Sequence, residues 1–195
     1  MRIGVFGGSF NPVHLGHIKI ARDLIKRRLV EKVKFVPVAD SYEKSGLAKA
    51  EDRYNMLNLA IKDDNRMDVS RIEIDSPYQP LTIETMDKLK TLYDTDLLFI
   101  IGSDNLELLP DWEGYEELIE RHYIIALNRS GIDSKKIIIE RFADHVHKFV
   151  TLSHAVELPY SATKVRRLIK TGKPYEHYLK RQVADYIKRE GLYLK

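Results

Sequence analysis

The chain has no cysteine among its 195 residues. That excludes a disulfide framework, a thiolate metal site and a cysteine nucleophile. It has no apolar run near the roughly 20 residues that a membrane helix needs, and no signal-peptide layout follows the opening Met-Arg. The reading is a soluble cytoplasmic protein with no membrane partner. Charge of one sign is also scarce: 32 basic against 29 acidic residues leave a net charge of +3. Such a balance suits an anionic small molecule and gives no argument for nucleic acid. The basic clusters at Lys26-Arg27-Arg28 and Lys180-Arg181 read as solvated helix faces and C-terminal helix turns. Walker A and G-x-G-x-x-G fingerprints are absent, as are internal repeats and low-complexity segments.

What is present is a hydrophobic content of 44%, enough for one core and one domain spanning residues 1–195. Apolar strand patterns fall near residues 3–6, 33–38, 67–74, 96–101, 122–127 and 149–152. Helical spacing follows from about Leu15, then at 48–61, 82–93, 115–120, 135–142, 162–170 and 177–190. Thr82 is placed to cap the third of these, and Gly172 and Gly191 to stop the last two. Alternation of strand and helix predicts an α/β fold, a Rossmann-like doubly wound parallel sheet. Ligands of such sheets collect outside the carboxyl ends of the strands.

One stretch organises the rest: Ile3-Gly4-Val5-Phe6-Gly7-Gly8-Ser9-Phe10-Asn11-Pro12-Val13-His14-Leu15-Gly16-His17. A buried strand runs into a small-residue turn and then a helix. Gly7 and Gly8 permit a sharp turn and close approach to the backbone. The N–H groups of a helix N-terminus favour an anion. His14 and His17 add directional donors on one side of the first turn. Gly16 between them leaves room for a flat group. Further candidates follow the other strands: Lys44, Gly102 to Asn105, and Arg129.

This stretch resembles the H-x-G-H signature of the nucleotidylyltransferase superfamily. Its Gly-Gly-Ser-Phe-Asn-Pro lead-in resembles the nicotinate/nicotinamide mononucleotide adenylyltransferases in particular. The resemblance implies the nucleotidylyltransferase fold, with ATP bound at Gly7, Gly8, Ser9, Phe10 and Gly16. Ile-Gly-Ser-Asp-Asn at 101–105 is similar to the family's Gly-x-Asp turn. That likeness gives Gly102 and Asp104 to the ATP ribose and Asn105 to the acceptor side. Leu-Pro-Asp-Trp at 109–112 matches the family's Pro-x-Trp segment, which sets Trp112, the only tryptophan, against a pyridine ring. Tyr160-Ser161-Ala162-Thr163-Lys164-Val165-Arg166 resembles the second signature, Ile-Ser-Ser-Thr-x-Ile-Arg. Ser161 and Thr163 then serve phosphate, and Arg166 neutralises the triphosphate.

The implied reaction is AMP transfer from ATP to nicotinate mononucleotide, giving nicotinate adenine dinucleotide and pyrophosphate in NAD biosynthesis, with nicotinamide mononucleotide or another phosphate acceptor as the alternative. His14, His17 and Arg166 are the catalytic set, with Lys44, Thr82, Asn105, Trp112 and Arg129 on the acceptor. Mg²⁺ would arrive on the triphosphate, since the sequence shows no metal cage. His145-x-His147 lacks a ligand pattern around it and reads as incidental. Three departures stand out: Ala162 for a serine, Glu43 beside Lys44 for a histidine, and Leu81 for a tyrosine. The last two fall on the acceptor pocket and leave nicotinate and nicotinamide mononucleotide both open. A phosphopantetheine adenylyltransferase, a cytidylyltransferase and a non-catalytic nucleotide-binding module are the competing readings. A homo-oligomer is compatible with all of them.

Overall fold

The computed structural model describes residues 1–42, 44–128, 131–152 and 160–194. Six strands form one sheet: β1 (Arg2–Gly8), β2 (Lys32–Pro37), β3 (Met67–Val69), β4 (Asp96–Gly102), β5 (Tyr123–Leu127) and β6 (Phe149–Leu152). Their order is β3-β2-β1-β4-β5-β6, and every neighbouring pair is parallel. This is the doubly wound arrangement expected from the alternating pattern. The helices are α1 (Leu15–Lys26), α2 (Ala50–Ile61), α3 (Thr82–Tyr93), α4 (Ser103–Leu106), α5 (Tyr115–Arg121), α6 (Ser134–Arg141), α7 (Ala162–Lys170) and α8 (Arg181–Glu190).

Burial explains the layering. From Leu97 to Ile101, β4 is buried at every position, because a central parallel strand is covered on both faces. Helices α1, α2, α7 and α8 place Ile18, Leu24, Met56, Val165 and Val183 in the core on one face. Helices α3, α5 and α6 place Met86, Leu89, Leu118 and Ile138 in the core on the other. Side chains alternate along a strand, so Phe35 joins the first core and Val36 the second.

Some boundaries differ from the sequence expectation. The strand predicted at 67–74 stops at Val69. Residues 72–75 turn instead, and Glu73 is buried, accepting hydrogen bonds from Thr85 Oγ1 at 2.9 Å and Gln79 Nε2 at 2.8 Å. A carboxylate bonded in that way cannot stay on the exposed face of a strand. The cap of α3 is Leu81, not Thr82: Thr82 is the first helical residue, and Glu84 accepts the Leu81 N–H at 2.8 Å. Helix α8 starts at Arg181 rather than 177, after a 3₁₀ turn at Glu176–Tyr178. Lys26 closes α1, whereas Lys180 stands at the start of α8. The glycine stops occur where expected, Gly172 at φ 64° and Gly191 at φ 61°.

His122 precedes β5 and is buried, with Nε2 3.2 Å from an Asp87 carboxylate oxygen on α3. Burial outweighs that carboxylate and holds the imidazole below its ordinary value. A depressed native value favours the fold above the unfolded value of ~6.5. That contribution is lost as pH falls through the native value. The melting midpoint is expected to drop between about pH 7 and pH 5, and His122→Gln to flatten part of the drop. A melting series across that range checks it; superimposable profiles for the two proteins would exclude the assignment.

Candidate active site

The sheet reverses its winding between β1 and β4, which lie side by side. Their carboxyl ends open into a cleft of about 1370 Å³. Ligands bind at such a switch point because the loops leave it in opposite directions. Every site residue expected from sequence borders this cleft, except Arg129, which lies outside the described residues together with Glu43.

Gly7 and Gly8, expected in the turn, are the last residues of β1 and pair with Val36 and Pro37, so the connection that borders the cleft begins at Ser9. Phe10 also borders the cleft, but its ring is a core element. It is 3% exposed and packs edge-on against Phe6, Phe35 and His17, with centroids 5.8, 5.5 and 5.0 Å away. Its φ of 42° lies in the left-handed region, uncommon for a bulky residue, and the packing holds it there.

His14 is the N-cap of α1, with extended backbone. The His14 and His17 rings stack at 3.7 Å, only 20° from parallel. His17 Nδ1 accepts the His14 N–H at 3.1 Å. A neutral His17 therefore carries its proton on Nε2, which makes that nitrogen a donor. The expected space at Gly16 serves the protein. A Cβ there would sit 2.9 Å from His14 Nδ1 and 3.1 Å from Tyr160 Cβ. Glycine is thus what admits His14 and Tyr160 side by side.

The opposite wall comes from α7. Ser161 caps it, accepting the Lys164 N–H at 3.4 Å. Arg166, one turn in, donates to the Asn11 carbonyl at 2.7 Å and to Thr163 Oγ1 at 3.3 Å. These bonds fasten the guanidinium of the second motif to the loop of the first. Tyr160 receives a hydrogen bond from Lys19 Nζ at 3.0 Å, and Lys164 Nζ lies 4.9 Å from the Tyr178 ring centroid. Cations thus line this rim, as an anionic ligand requires.

Three further connections line the rest of the cleft. Lys44 is exposed, with Nζ 3.5 Å from Ser9 Oγ. Gly102, Asp104 and Asn105 lie where β4 passes into α4, and Gly102 is its N-cap. Trp112 is half-buried, with its ring edge-on to Phe99 at 6.4 Å, and it faces both the second core and the cleft. Thr82 and Leu81 start α3. Beneath them lies Glu73, whose carboxyl is held above its usual range by burial.

A family model described as cytidylyltransferase-like matches residues 5–168. A relative from Caldicellulosiruptor bescii named "Probable nicotinate-nucleotide adenylyltransferase" is 34% identical over 195 residues, covering 99% of each chain. One of the same name from Carboxydothermus hydrogenoformans is 36% identical over 197 residues, covering 98% of each. The chain belongs to the nicotinate-nucleotide adenylyltransferase family. A solved structure titled Plasmodium falciparum nicotinic acid mononucleotide adenylyltransferase complexed with NaAD superposes with a TM-score of 0.80. It is 19% identical and covers 98% of this chain and 97% of that one, a likeness that shows the fold.

Sequence reading missed four residues of this family member's cleft region. Asn11 lies within the first motif but was given no part. Arg53 follows two other charged residues, Glu51 and Asp52, at the start of α2, and nothing in its spacing marks it as fully buried. Glu73 was assigned to an exposed strand. Tyr193 lies beyond α8 at φ 65°, with its hydroxyl buried near Arg166 and Arg53. Among the described residues that hydroxyl meets no hydrogen-bond partner. No motif reaches so far along the chain.

Gly16→Ala tests the packing at the helix start. The added methyl must push His14 or Tyr160 aside, so turnover is expected to fall at least about tenfold, the effect of displacing a positioned group. The fold should survive, because the clash is local. Steady-state kinetics with a melting curve check this; unchanged turnover would mean that His14 need not sit where it does.

Proposed function

We propose that the chain transfers AMP from ATP to nicotinate mononucleotide, giving nicotinate adenine dinucleotide and pyrophosphate. One observation carries the reading. A single cleft at the switch point gathers the stacked histidines, Arg166, Lys44, Asp104 and Trp112. Relatives that bear the nicotinate-nucleotide adenylyltransferase name over the full length support it. So does a solved neighbour complexed with NaAD.

The acceptor's phosphate is already ionised near neutral pH, so the chemistry needs no general base. One of its oxygens attacks the α-phosphorus of ATP in line. The bond from that phosphorus to the bridging oxygen breaks, and pyrophosphate leaves with the electron pair. Catalysis then rests on alignment and on stabilising charge. His17 and His14 donate to the α- and β-phosphate oxygens as charge builds. The N-terminal N–H groups of α1 add to the same field. Arg166 balances the triphosphate and Lys44 the acceptor phosphate. Asp104 accepts from the ATP ribose hydroxyls. Trp112 offers an aromatic face to the pyridine ring. Gly102, Ser161 and Thr163 belong to the ATP side, and Thr82, Asn105 and Arg129 to the acceptor side.

Among the described residues no group of three or more His, Cys, Asp or Glu is placed to hold a metal ion. Mg²⁺ would instead be carried by the triphosphate oxygens and water. When bound, the ion supplies neutralising charge on the phosphates. No helix of the described residues is long and apolar enough to cross a membrane. Free nucleotides as substrates support the reading of a cytoplasmic enzyme acting as one domain over 1–195.

The decisive assay is pyrophosphate release with ATP and Mg²⁺ against nicotinate mononucleotide, nicotinamide mononucleotide and phosphopantetheine. Preference for the first is expected. Preference for another acceptor would transfer the specificity to Leu81 and its neighbours. His17→Ala is expected to lower kcat by ~10²–10³, the usual cost of removing one transition-state donor, with the melting midpoint little changed. Near-normal kcat would remove His17 from the mechanism. Trp112→Ala is expected to raise KM for the mononucleotide at least about fivefold while KM for ATP holds, as for a lost aromatic contact. A change confined to ATP would reassign that wall of the cleft.

A further inference from the structure

Two buried polar side chains join the halves of the cleft. Asn11 is 2% exposed. Its Nδ2 donates to the Gly46 carbonyl at 2.8 Å, and its Oδ1 accepts the Ala48 N–H at 3.0 Å. Its own carbonyl is the one that Arg166 grips at 2.7 Å. Arg53 has no exposed surface at all. Its Nε donates to the Ala48 carbonyl at 2.9 Å and its Nη1 to the Ser9 carbonyl at 3.3 Å. Its Nη2 reaches the Ala39 carbonyl at 3.5 Å and Asp40 Oδ1 at 3.4 Å.

These bonds converge on one segment, the polar connection from Ala39 to Lys49 that carries Lys44. Gln79 Oε1 also accepts the Ala39 N–H at 3.0 Å, and Asp40 Oδ1 accepts the Ala50 N–H at 2.6 Å. The segment is therefore fastened at both ends and near Gly46, while Lys44 itself is exposed. A lysine on an unfastened connection would sample many positions, and ordering it on binding would weaken the acceptor. Removing a guanidinium from water is unfavourable, and an apolar side chain of similar volume would often stabilise the fold as well or better. The forked geometry of Arg53 instead links the phosphate turn at Ser9 to the Lys44 connection.

We propose that Asn11 and Arg53 are positioning residues that set Lys44 relative to Arg166, so that the acceptor phosphate and the triphosphate meet in line. The inference rests on the adenylyl-transfer reading. Asn11 is the shared point: its side chain holds the lysine segment and its carbonyl holds the arginine. The asymmetry yields a specific expectation. Asn11→Ala removes the bonds to the lysine segment and leaves the carbonyl for Arg166.

In Asn11→Ala, KM for nicotinate mononucleotide is expected to rise about tenfold while KM for ATP stays within about twofold, as when one contact network is lost and the other kept. In a Lys44→Ala background the same substitution should change kcat/KM by less than about twofold, because the group through which it acts is gone. Equal losses in both backgrounds, or parallel rises in both KM values, would overturn the proposal. Arg53→Lys keeps the charge without the fork and should reproduce the split; wild-type kinetics in that variant would remove Arg53 from the role.

Amide hydrogen exchange over residues 44–49 is read on the same proteins without turnover. It should quicken at least about tenfold in Asn11→Ala, as for a loop released from its bonds. Unchanged exchange overturns the fastening whatever the enzyme does. If the wild-type protein releases no pyrophosphate with nicotinate mononucleotide, the adenylyl-transfer reading fails, and the exchange arm still decides whether Asn11 holds the segment.

Discussion

Parallel pairing of β1 with both β2 and β4 is the constraint on which the rest depends. The chain winds away from β1 in one direction through α1 and returns to its other side only at Asp96, where β4 begins. The two following loops are thereby forced apart at the carboxyl ends. The cleft is the gap that results. The side chains of Ile100 and Val30 fill the space over Gly4, where a Cβ would come within 2.8 Å of Ile100 Cδ1. The site is therefore a product of sheet topology before it is a product of any catalytic side chain.

On that frame the chemistry is built from short-range order. The end of β1, the start of α1 and the start of α7 all border one space. Arg166 is tied to Asn11, and His17 is tied to the backbone of His14. Arg166 is thus oriented by a neighbour from a different element, and His17 by the cap of its own helix. Such preorganisation suits a reaction in which positioning and charge carry the catalysis.

Much of this was legible in the residues. The continuous apolar run of β4 and the helical spacing after Leu15 gave the sheet and its coverings, because burial on both faces leaves a direct trace in composition. The glycines and histidines of the first motif were legible because few other residues fit a tight strand-to-helix turn. Glu73 was not legible. Alternation around it suggested an exposed strand face, and only Thr85 and Gln79, 12 and 6 residues later, make its burial tolerable. Arg53 was hidden for the same reason: its partners Ser9 and Ala39 are 44 and 14 residues away. Gly16 was read as small to leave room for a ligand; that His14 and Tyr160 also need the room is not visible in sequence, which does not show which neighbours crowd a glycine.

The dispersal of the cleft along the chain bears on how the protein is made. The histidines stand at 14 and 17, β4 begins at 96 and the arginine is at 166. A ribosome exposes the first motif early, but β1 then lacks one of its two neighbours and α7 is still to come. Pairings of such sequence separation form late, because loop closure must precede them. A nascent or prematurely ended chain therefore displays the nucleotide motif without the strand that shapes the cleft or the arginine that closes it. Such fragments would be inert toward the cellular ATP pool, and competence would arrive only once nearly the whole polypeptide has emerged.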